Sequence, residues 1–333
     1  MAAKSPHTAA VQELISGNRS FLTCAGTETY LVYQQQLELP QFAAFTLYSQ
    51  PEEELDKLEK NHLHHIFKAA AESHHGLLID IQTWRASPDY VKLLGRDPGQ
   101  EELENIHRTA VTWTRGVIER WRRQHGYSRK NFPVLIVADV GPRGDGYKID
   151  IENTTSDGFR DYHSHQLSAI KSVGGVDLVC AYTITSIEEA IGIAQASSDV
   201  GLPVVISVTV ETDGKLPDGS DIRQLVEETD RRTELKTSAL PLFYMVNCAH
   251  PSHINPALEK AKAAKEPWLG RLKGIRANAS CKSHEELDNS TVLDRGDVFD
   301  FATRLTKMMR EYDLRVIGGC CGTDHEHIAA LAR

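Results

Sequence analysis

The stretch VDLVCAYTITSIEEAIGIAQASSDVGLPVVISVTV, Val176–Val210, holds one complete strand–helix–strand unit. Val176 to Thr183 is a short apolar, β-branched run and predicts a strand. Ile187 to Ser197 carries apolar residues at helical spacing. Pro203 to Val210 predicts a second strand after a Gly-Leu-Pro turn signal. The same alternation extends in both directions. Strands are predicted at Gly76 to Gln82, Phe132 to Val140, Leu242 to Cys248, Leu272 to Arg276 and Leu314 to Gly318. Helices are predicted at Glu101 to His125, Tyr162 to Val173, Ile222 to Asp230, Pro256 to Lys265, Val298 to Tyr312 and His325 to Leu331. With a strand near Ser20 to Thr23 there are about eight βα units, the number that closes an α/β (β/α)8 TIM barrel. A doubly wound sheet is the competing architecture. It is disfavoured because no GxGxxG follows the first strand and polar residues gather at the C-terminal ends of many strands. No Pro/Gly/Ser-rich linker divides residues 1–333, so one barrel domain is expected. The polar segment 277–297 has the length of a lid or binding loop.

Composition narrows the function. With 41% hydrophobic and 25% charged residues, the 333-residue chain has the material for a sizeable core. Its 37 Lys and Arg against 46 Asp and Glu give a net charge of −9. Such a chain has no overall pull toward phosphate backbones or anionic membranes, so neither nucleic acid nor membrane is an expected partner. The longest apolar stretch, Val200–Val210, is too short and mixed to span a bilayer. Met1 to Gly17 lacks a continuous apolar h-region. A cytoplasmic location is expected, and the six cysteines are not read as a disulfide scaffold.

Three cysteines fall where a barrel builds its active site. Cys248 ends one predicted strand, and Cys320-Cys321 follow the last one, all at the C-terminal face. Taken singly, each reads as a small buried residue. Taken together, three sulfurs with one open position form the ligand set of a catalytic zinc site, and soft thiolates favour Zn2+ over magnesium or calcium.

Other polar clusters read as structural. His62, His64, His65, His74 and His75 lie on or just after a helix over Pro51 to Ser73, and a solvated face is expected. Tyr162-His163-Ser164-His165 reads as a polar first turn. Gly141 to Gly146 is glycine-rich but lacks the Lys-Ser/Thr of a P-loop, so a barrel loop is the better reading. Thr323 or Asp324 is a candidate cap for the last helix, with His325 and His327 exposed. His250 is a candidate substrate contact beside Cys248, although Pro251 suggests that the chain is turning away.

The chain resembles the homocysteine S-methyltransferase family, which includes betaine– and S-methylmethionine–homocysteine methyltransferases. The resemblance runs from about residue 20 to the end. It is carried by Val246-Asn247-Cys248, Gly318-Gly319-Cys320-Cys321-Gly322-Thr323, Thr83-Trp84-Arg85-Ala86-Ser87-Pro88, Gly141-Pro142-Arg143-Gly144, and Ser207 to Val210 with Asp213-Gly214 and Asp218-Gly219. It implies a zinc-dependent barrel with metal ligands Cys248, Cys320 and Cys321 and no catalytic residue beyond the metal site. It further implies substrate contacts at Cys24, Ala25, Gly26, Glu28, Trp84, Tyr182, Asn247 and Asn278. The implied reaction moves a methyl group from a sulfonium or quaternary ammonium donor to a metal-bound thiol, with homocysteine giving methionine. The implied partners are therefore small molecules, a thiol and a methyl donor.

The chain departs from the family pattern at three places. Cys24 and Ala25 stand in place of an Asp-Gly of the first strand, and Cys24 is either a fourth sulfur near the metal or, preferably, a packed residue. Tyr182 stands in place of a glutamate, and Arg276-Ala277-Asn278 in place of Tyr-Pro-Asn. Arg276 and Arg85 suit a carboxylate-bearing substrate or the surface. Action on another thiol or methylated substrate, or a non-catalytic zinc-binding barrel, are the alternative expectations.

Overall fold

Eight short parallel strands close on themselves in chain order, β1-β2-β3-β4-β5-β6-β7-β8, with β8 pairing back on β1. They are β1 (Phe21–Thr23), β2 (Gly76–Asp80), β3 (Val134–Val140), β4 (Leu178–Ile184), β5 (Val204–Val208), β6 (Tyr244–Asn247), β7 (Leu272–Ala277) and β8 (Val316–Gly319). The computed structural model describes residues 8–147, 155–237 and 240–333. The protein is thus the (β/α)8 barrel that the alternation predicts. The strand sequences are apolar on both faces because each strand packs inward on the barrel axis and outward on helices.

Alternation along each strand separates the two faces. Leu135 and Val137 of β3, with Leu178, Cys180 and Tyr182 of β4, join an inner cluster with Phe21, Leu78, Val205, Met245 and Val316. Val11 and Leu14, from the helix Ala9–Ser16, belong to the same cluster. The intervening residues, such as Ile136, Ala138, Val179 and Ala181, face the helical shell. Following the same alternation to the C-terminal ends of the strands gives a polar inner layer: Asp80, Asp139, Tyr182, Ser207, Asn247 and Arg276, every one buried.

Helix boundaries follow local capping chemistry. Thr155 caps the helix Ser156–Val173 by accepting from Gly158 N, which starts that helix earlier than periodicity predicts. His250 caps Pro251–Ala264 through Ser252 N, with Pro251 in the first turn. Pro251 therefore opens a helix rather than leading the chain away, consistent with the tolerance of proline where an N–H has no helical partner. Asp324 accepts from Glu326 N at the start of His325–Leu331. The predicted helix over Pro51 to Ser73 is present as Glu52–Leu58 and His64–Glu72, joined through a π turn at Glu59–Leu63.

The histidine expectations need correction. His62 lies in that π turn, is fully buried and stacks on Tyr30 with ring centroids 4.3 Å apart. His163 is in the middle of its helix, buried, and meets Glu189 Oε1 at 2.9 Å. His327 is also buried, with Nδ1 3.0 Å from Asp324 Oδ1 and Nε2 3.0 Å from Arg295 O. In each case helix packing against a neighbour overrides the local polarity on which the solvated-face, first-turn and exposed readings rest.

The shell has an aromatic centre where Phe67 meets Trp121 and Phe132, with ring centroids 5.6 and 6.2 Å away. Phe67 has no exposed surface. The substitution Phe67→Ala should cost about 3–5 kcal/mol through lost burial and a residual cavity. A denaturant midpoint unchanged from the parent would contradict this packing account.

Candidate metal centre

Cys248 stands one residue beyond β6, with its backbone in the left-handed region at φ 52°. An L-residue other than Gly, Asn or Asp adopts that conformation at a cost, so something must hold it there. Asn247 supplies one brace: its Oδ1 accepts from Thr183 N at 2.9 Å and Ser207 Oγ at 2.7 Å. Its Nδ2 donates to Thr183 Oγ1 at 2.9 Å. Cys248 N donates to Arg276 O at 3.1 Å, and Cys248 O accepts from Asn278 Nδ2 at 2.9 Å. The ring Nε2 of His284 lies 2.6 Å from the same carbonyl. The sulfur is thus aimed by contacts from β4, β5, β7 and the segment after β7.

Cys320 and Cys321 leave β8 through Gly318-Gly319. A Cβ on Gly318 would fall 2.0 Å from Thr23 Oγ1, and one on Gly319 would fall 2.1 Å from Thr323 Oγ1. The glycine pair therefore allows β8 to lie close against β1 and against its own following turn. Cys320 N donates to Ala277 O at 2.7 Å, while Cys320 O accepts from Thr323 Oγ1, also at 2.7 Å.

These folds bring the three sulfurs within 4.8 Å of one another. An ion bound about 2.3 Å from each sulfur in a tetrahedron spaces them about 3.8 Å apart, so the set fits a thiolate-bound metal with small adjustment. Without a cation, the three thiols compete for one charge. Hydrogen bonds from Cys320 and Cys321 hold the Cys248 thiol well below its usual range. The same contact with Cys248 pushes Cys320 up to about 12 and raises Cys321 well above its ordinary value. A divalent cation removes that competition by stabilising every thiolate.

The polar inner layer lies below. Arg276 Nη1 pairs with Asp80 Oδ2 at 2.8 Å, Nε donates to Gly319 O at 2.8 Å, and Nη2 donates to Ala25 O at 3.1 Å. Its guanidinium carbon stands 4.8 Å from the centroid of the Tyr182 ring, and Tyr182 OH donates to Asp80 Oδ1 at 3.2 Å. Burial works against the charge on Arg276, and the fields of Asp80, Tyr182, Cys320 and Glu28 together more than offset it, so the arginine stays charged. Asp139 is pushed well above the carboxylate range, first by burial and then by Asp80, which favours its neutral form.

Above the sulfurs a cavity of ≈ 280 Å³ opens to solvent. Of the candidate site residues named from sequence, Cys321, Trp84, Arg85 and Asn278 line it. Cys24, Ala25, Tyr182 and Asn247 are buried in or beside the inner layer. Cys24 is a packed residue whose Sγ donates to Leu78 O at 3.8 Å, and it is not one of the three clustered sulfurs. Gly26 N donates to Thr323 Oγ1 at 3.1 Å, and burial raises the Glu28 carboxyl. Arg276 lies in the interior and not at the surface.

Sequence reasoning missed Tyr147 and His284, which stack with centroids 4.3 Å apart and both line the cavity. Burial and the field of Cys248 hold the Tyr147 phenol well above its usual range. Its position directly after Gly141-Pro142-Arg143-Gly144-Asp145-Gly146 was the available signal. That loop is anchored where Arg143 N donates to Glu189 Oε1 at 2.6 Å. His250 is not among the cavity-lining residues; its ring is used as the helix cap.

Comparison with known proteins agrees with this geometry. The family model for homocysteine S-methyltransferase matches residues 25–333. Homocysteine S-methyltransferase 1 of Arabidopsis thaliana is 25% identical over 266 residues, covering 72% of this chain and 73% of that protein. The crystal structure of the Escherichia coli homocysteine methyltransferase MmuM in its metallated form superposes with a TM-score of 0.70 at 17% identity, over 95% of this chain and 96% of that one. The apo form of the same enzyme gives a TM-score of 0.62 at 17% identity, over 94% and 95%. At that identity the structural likeness speaks for the barrel.

Removing the Asn247 brace should leave the barrel folded but Cys248 poorly aimed. Asn247→Ala is expected to weaken metal affinity by about 10–100-fold, as for other groups that orient metal ligands. Competition with a chelator reads this directly. An unchanged affinity would mean that Asn247 does not set the Cys248 geometry.

Proposed function

The chain belongs to the homocysteine S-methyltransferase family, and we propose on that premise that it is a zinc enzyme carrying a methyl group from a sulfonium or quaternary ammonium donor to homocysteine. It is a methyltransferase; the metal, donor and acceptor are the parts proposed. The observation that carries the reading is the cluster of Cys248, Cys320 and Cys321 on the C-terminal side of the barrel, with Cys321 lining the adjoining cavity. Three thiolates and an open side make a donor set suited to zinc. The chemistry that such an ion supplies when bound is acidification of an incoming thiol and retention of the thiolate formed.

The rest of the work falls to the protein. The cavity wall of Trp84 and Tyr147 offers aromatic faces to a positively charged donor. Trp84 is fixed for that role by Nε1 donating to Tyr182 O at 3.1 Å and by its carbonyl accepting from Gly141 N at 2.9 Å. Asn278 lines the cavity, its Nδ2 holds Cys248 O, and its buried Oδ1 has no partner among the described residues. Holding donor and acceptor in line inside a narrow cavity is the main requirement of a methyl transfer between two heteroatoms.

We read the chain as a single barrel domain, with 277–297 acting as a lid. In support, Leu287, Ser290, Val292, Leu293 and Asp294 all line the cavity. A cytoplasmic site of action fits six free cysteines, and no helix among the described residues is long and apolar enough to cross a membrane. One observation favours a second reading, in which the acceptor is a thiol without an α-amino group. Asp80 is already paired with Arg276 and Tyr182, so the inner layer offers it to no substrate ammonium.

The test combines metal content with turnover. Protein prepared without added zinc should contain about one zinc per chain, and Cys320→Ala should lose both zinc and methyl transfer while keeping its far-ultraviolet circular dichroism. Comparing homocysteine with 4-mercaptobutyrate, its des-amino analogue, separates the two acceptors. Full zinc retention in Cys320→Ala would refute the ligand assignment.

A further inference from the structure

Among the described residues, Arg85 makes no ion pair at the cavity wall. It lies in the loop after β2, next to Trp84, and lines the same cavity as Cys321. Its guanidinium carbon stands 4.6 Å from the Trp84 ring centroid and 4.1 Å from the Tyr90 ring centroid. Two aromatic contacts therefore fix its orientation. Tyr90 is itself held, its OH donating to Gly144 O at 2.7 Å.

The hydrogen-bonding capacity of Arg85 is largely unused. A guanidinium carries five N–H donors. Among the described residues, Arg85 makes one long bond, Nη1 to Gly144 O at 3.4 Å. Its Nε is buried with no partner among those residues. Asp145 acts on it only through space, and Asp145 Oδ1 accepts from Tyr147 N at 2.8 Å. The other cavity-lining acid, Asp294, is taken up by Ser280 Oγ at 2.8 Å and Lys282 Nζ at 3.3 Å. Burial pulls the Arg85 pKa down, and the fields of Asp145, Tyr147 and Tyr162 offset it only in part. A half-buried guanidinium pre-set by stacking, with its fork free, is arranged to receive a planar two-oxygen anion.

We propose that Arg85 is a specificity-determining residue that pairs with a carboxylate on the methyl donor. This rests on the methyltransferase reading above, and deepens it. Arg85 belongs to the aromatic wall and not to the sulfur floor, so it addresses the molecule seated on that wall. The donor's cationic centre meets the aromatic faces, and its carboxylate reaches the guanidinium edge. Donors that carry the onium group without a carboxylate leave Arg85 unpaired and bind weakly.

The test is equilibrium binding to the zinc-loaded protein by calorimetry, a readout independent of turnover. Dimethylsulfonioacetate and its methyl ester form the donor pair, and homocysteine and its methyl ester form the acceptor pair. The acid form of the donor should bind about 30-fold more tightly than its ester, the scale of a charge-assisted bidentate pair. Arg85→Gln should erase that difference by weakening the acid alone. Arg85→Lys, which keeps the charge without the fork, should restore part of it. Unchanged ester affinity in Arg85→Gln separates this role from a structural one, because a collapsed wall would weaken both. Equal binding of the donor acid and ester to the parent protein, or no binding of either, would overturn the proposal. So would a discrimination confined to the homocysteine pair. If the donor pair discriminates through Arg85 but no methyl group reaches any thiol, the methyltransferase chemistry proposed above fails and the carboxylate site stands.

Discussion

The buried ion pair between Arg276 and Asp80 joins four strands at the level where the barrel stops and the site begins. One guanidinium pairs with β2 through Asp80, with the end of β8 through Gly319 O, and with the segment after β1 through Ala25 O, while its own backbone belongs to β7. Taking both charges out of water costs several kcal/mol per ion, so such a pair adds little to stability by itself. What it adds is geometry. Every carbonyl it holds lies within a residue or two of a position that shapes the metal centre. Losing either partner leaves the other charge buried and alone, the costly half of the same balance.

From that layer upward, the metal centre follows from alternation and from two irregularities. Alternation points Asn247 inward, where it can bridge β4, β5 and β6. The next residue, Cys248, would point outward in a continued strand. Its left-handed backbone turns it over the barrel axis instead, and the braces on its N–H and carbonyl hold that strain in place. At β8, the absence of side chains at Gly318 and Gly319 permits the close approach that brings Cys320 and Cys321 to the same point. Three sulfurs from two strands therefore meet without a rearrangement of the barrel.

The sequence disclosed most of this architecture because strand periodicity and loop chemistry are local. All eight strands and the cysteine triad were legible from runs such as Val176–Val210 and from the Gly-Gly-Cys-Cys-Gly element. What it hid depended on partners distant in the chain. His62 and His163 look polar in their own windows, and only the packing of Tyr30 and Glu189 against them accounts for their burial. Arg276 reads equally as a surface residue until Asp80, almost two hundred positions earlier, is placed beside it. Tyr147 and His284 carry no motif, and their stacking joins two loops that meet only once the barrel has closed.

Charge ties the floor of the cavity to its wall. Asp80 and Arg276 cancel, and burial favours neutral Asp139. A divalent ion on three thiolates leaves about one negative charge at the floor, so the cavity attracts a cation toward the sulfurs. The same field repels any carboxylate that the cation carries. A zwitterion enters favourably only if the wall supplies positive charge away from the floor. Arg85, fixed between Trp84 and Tyr90, is a cavity-lining cation whose fork is free among the described residues. With the proposed ion in place, the sulfur floor would be negative and Arg85 a positive point on the wall. That separation would orient the proposed zwitterionic donor with its methyl-bearing end toward the sulfurs.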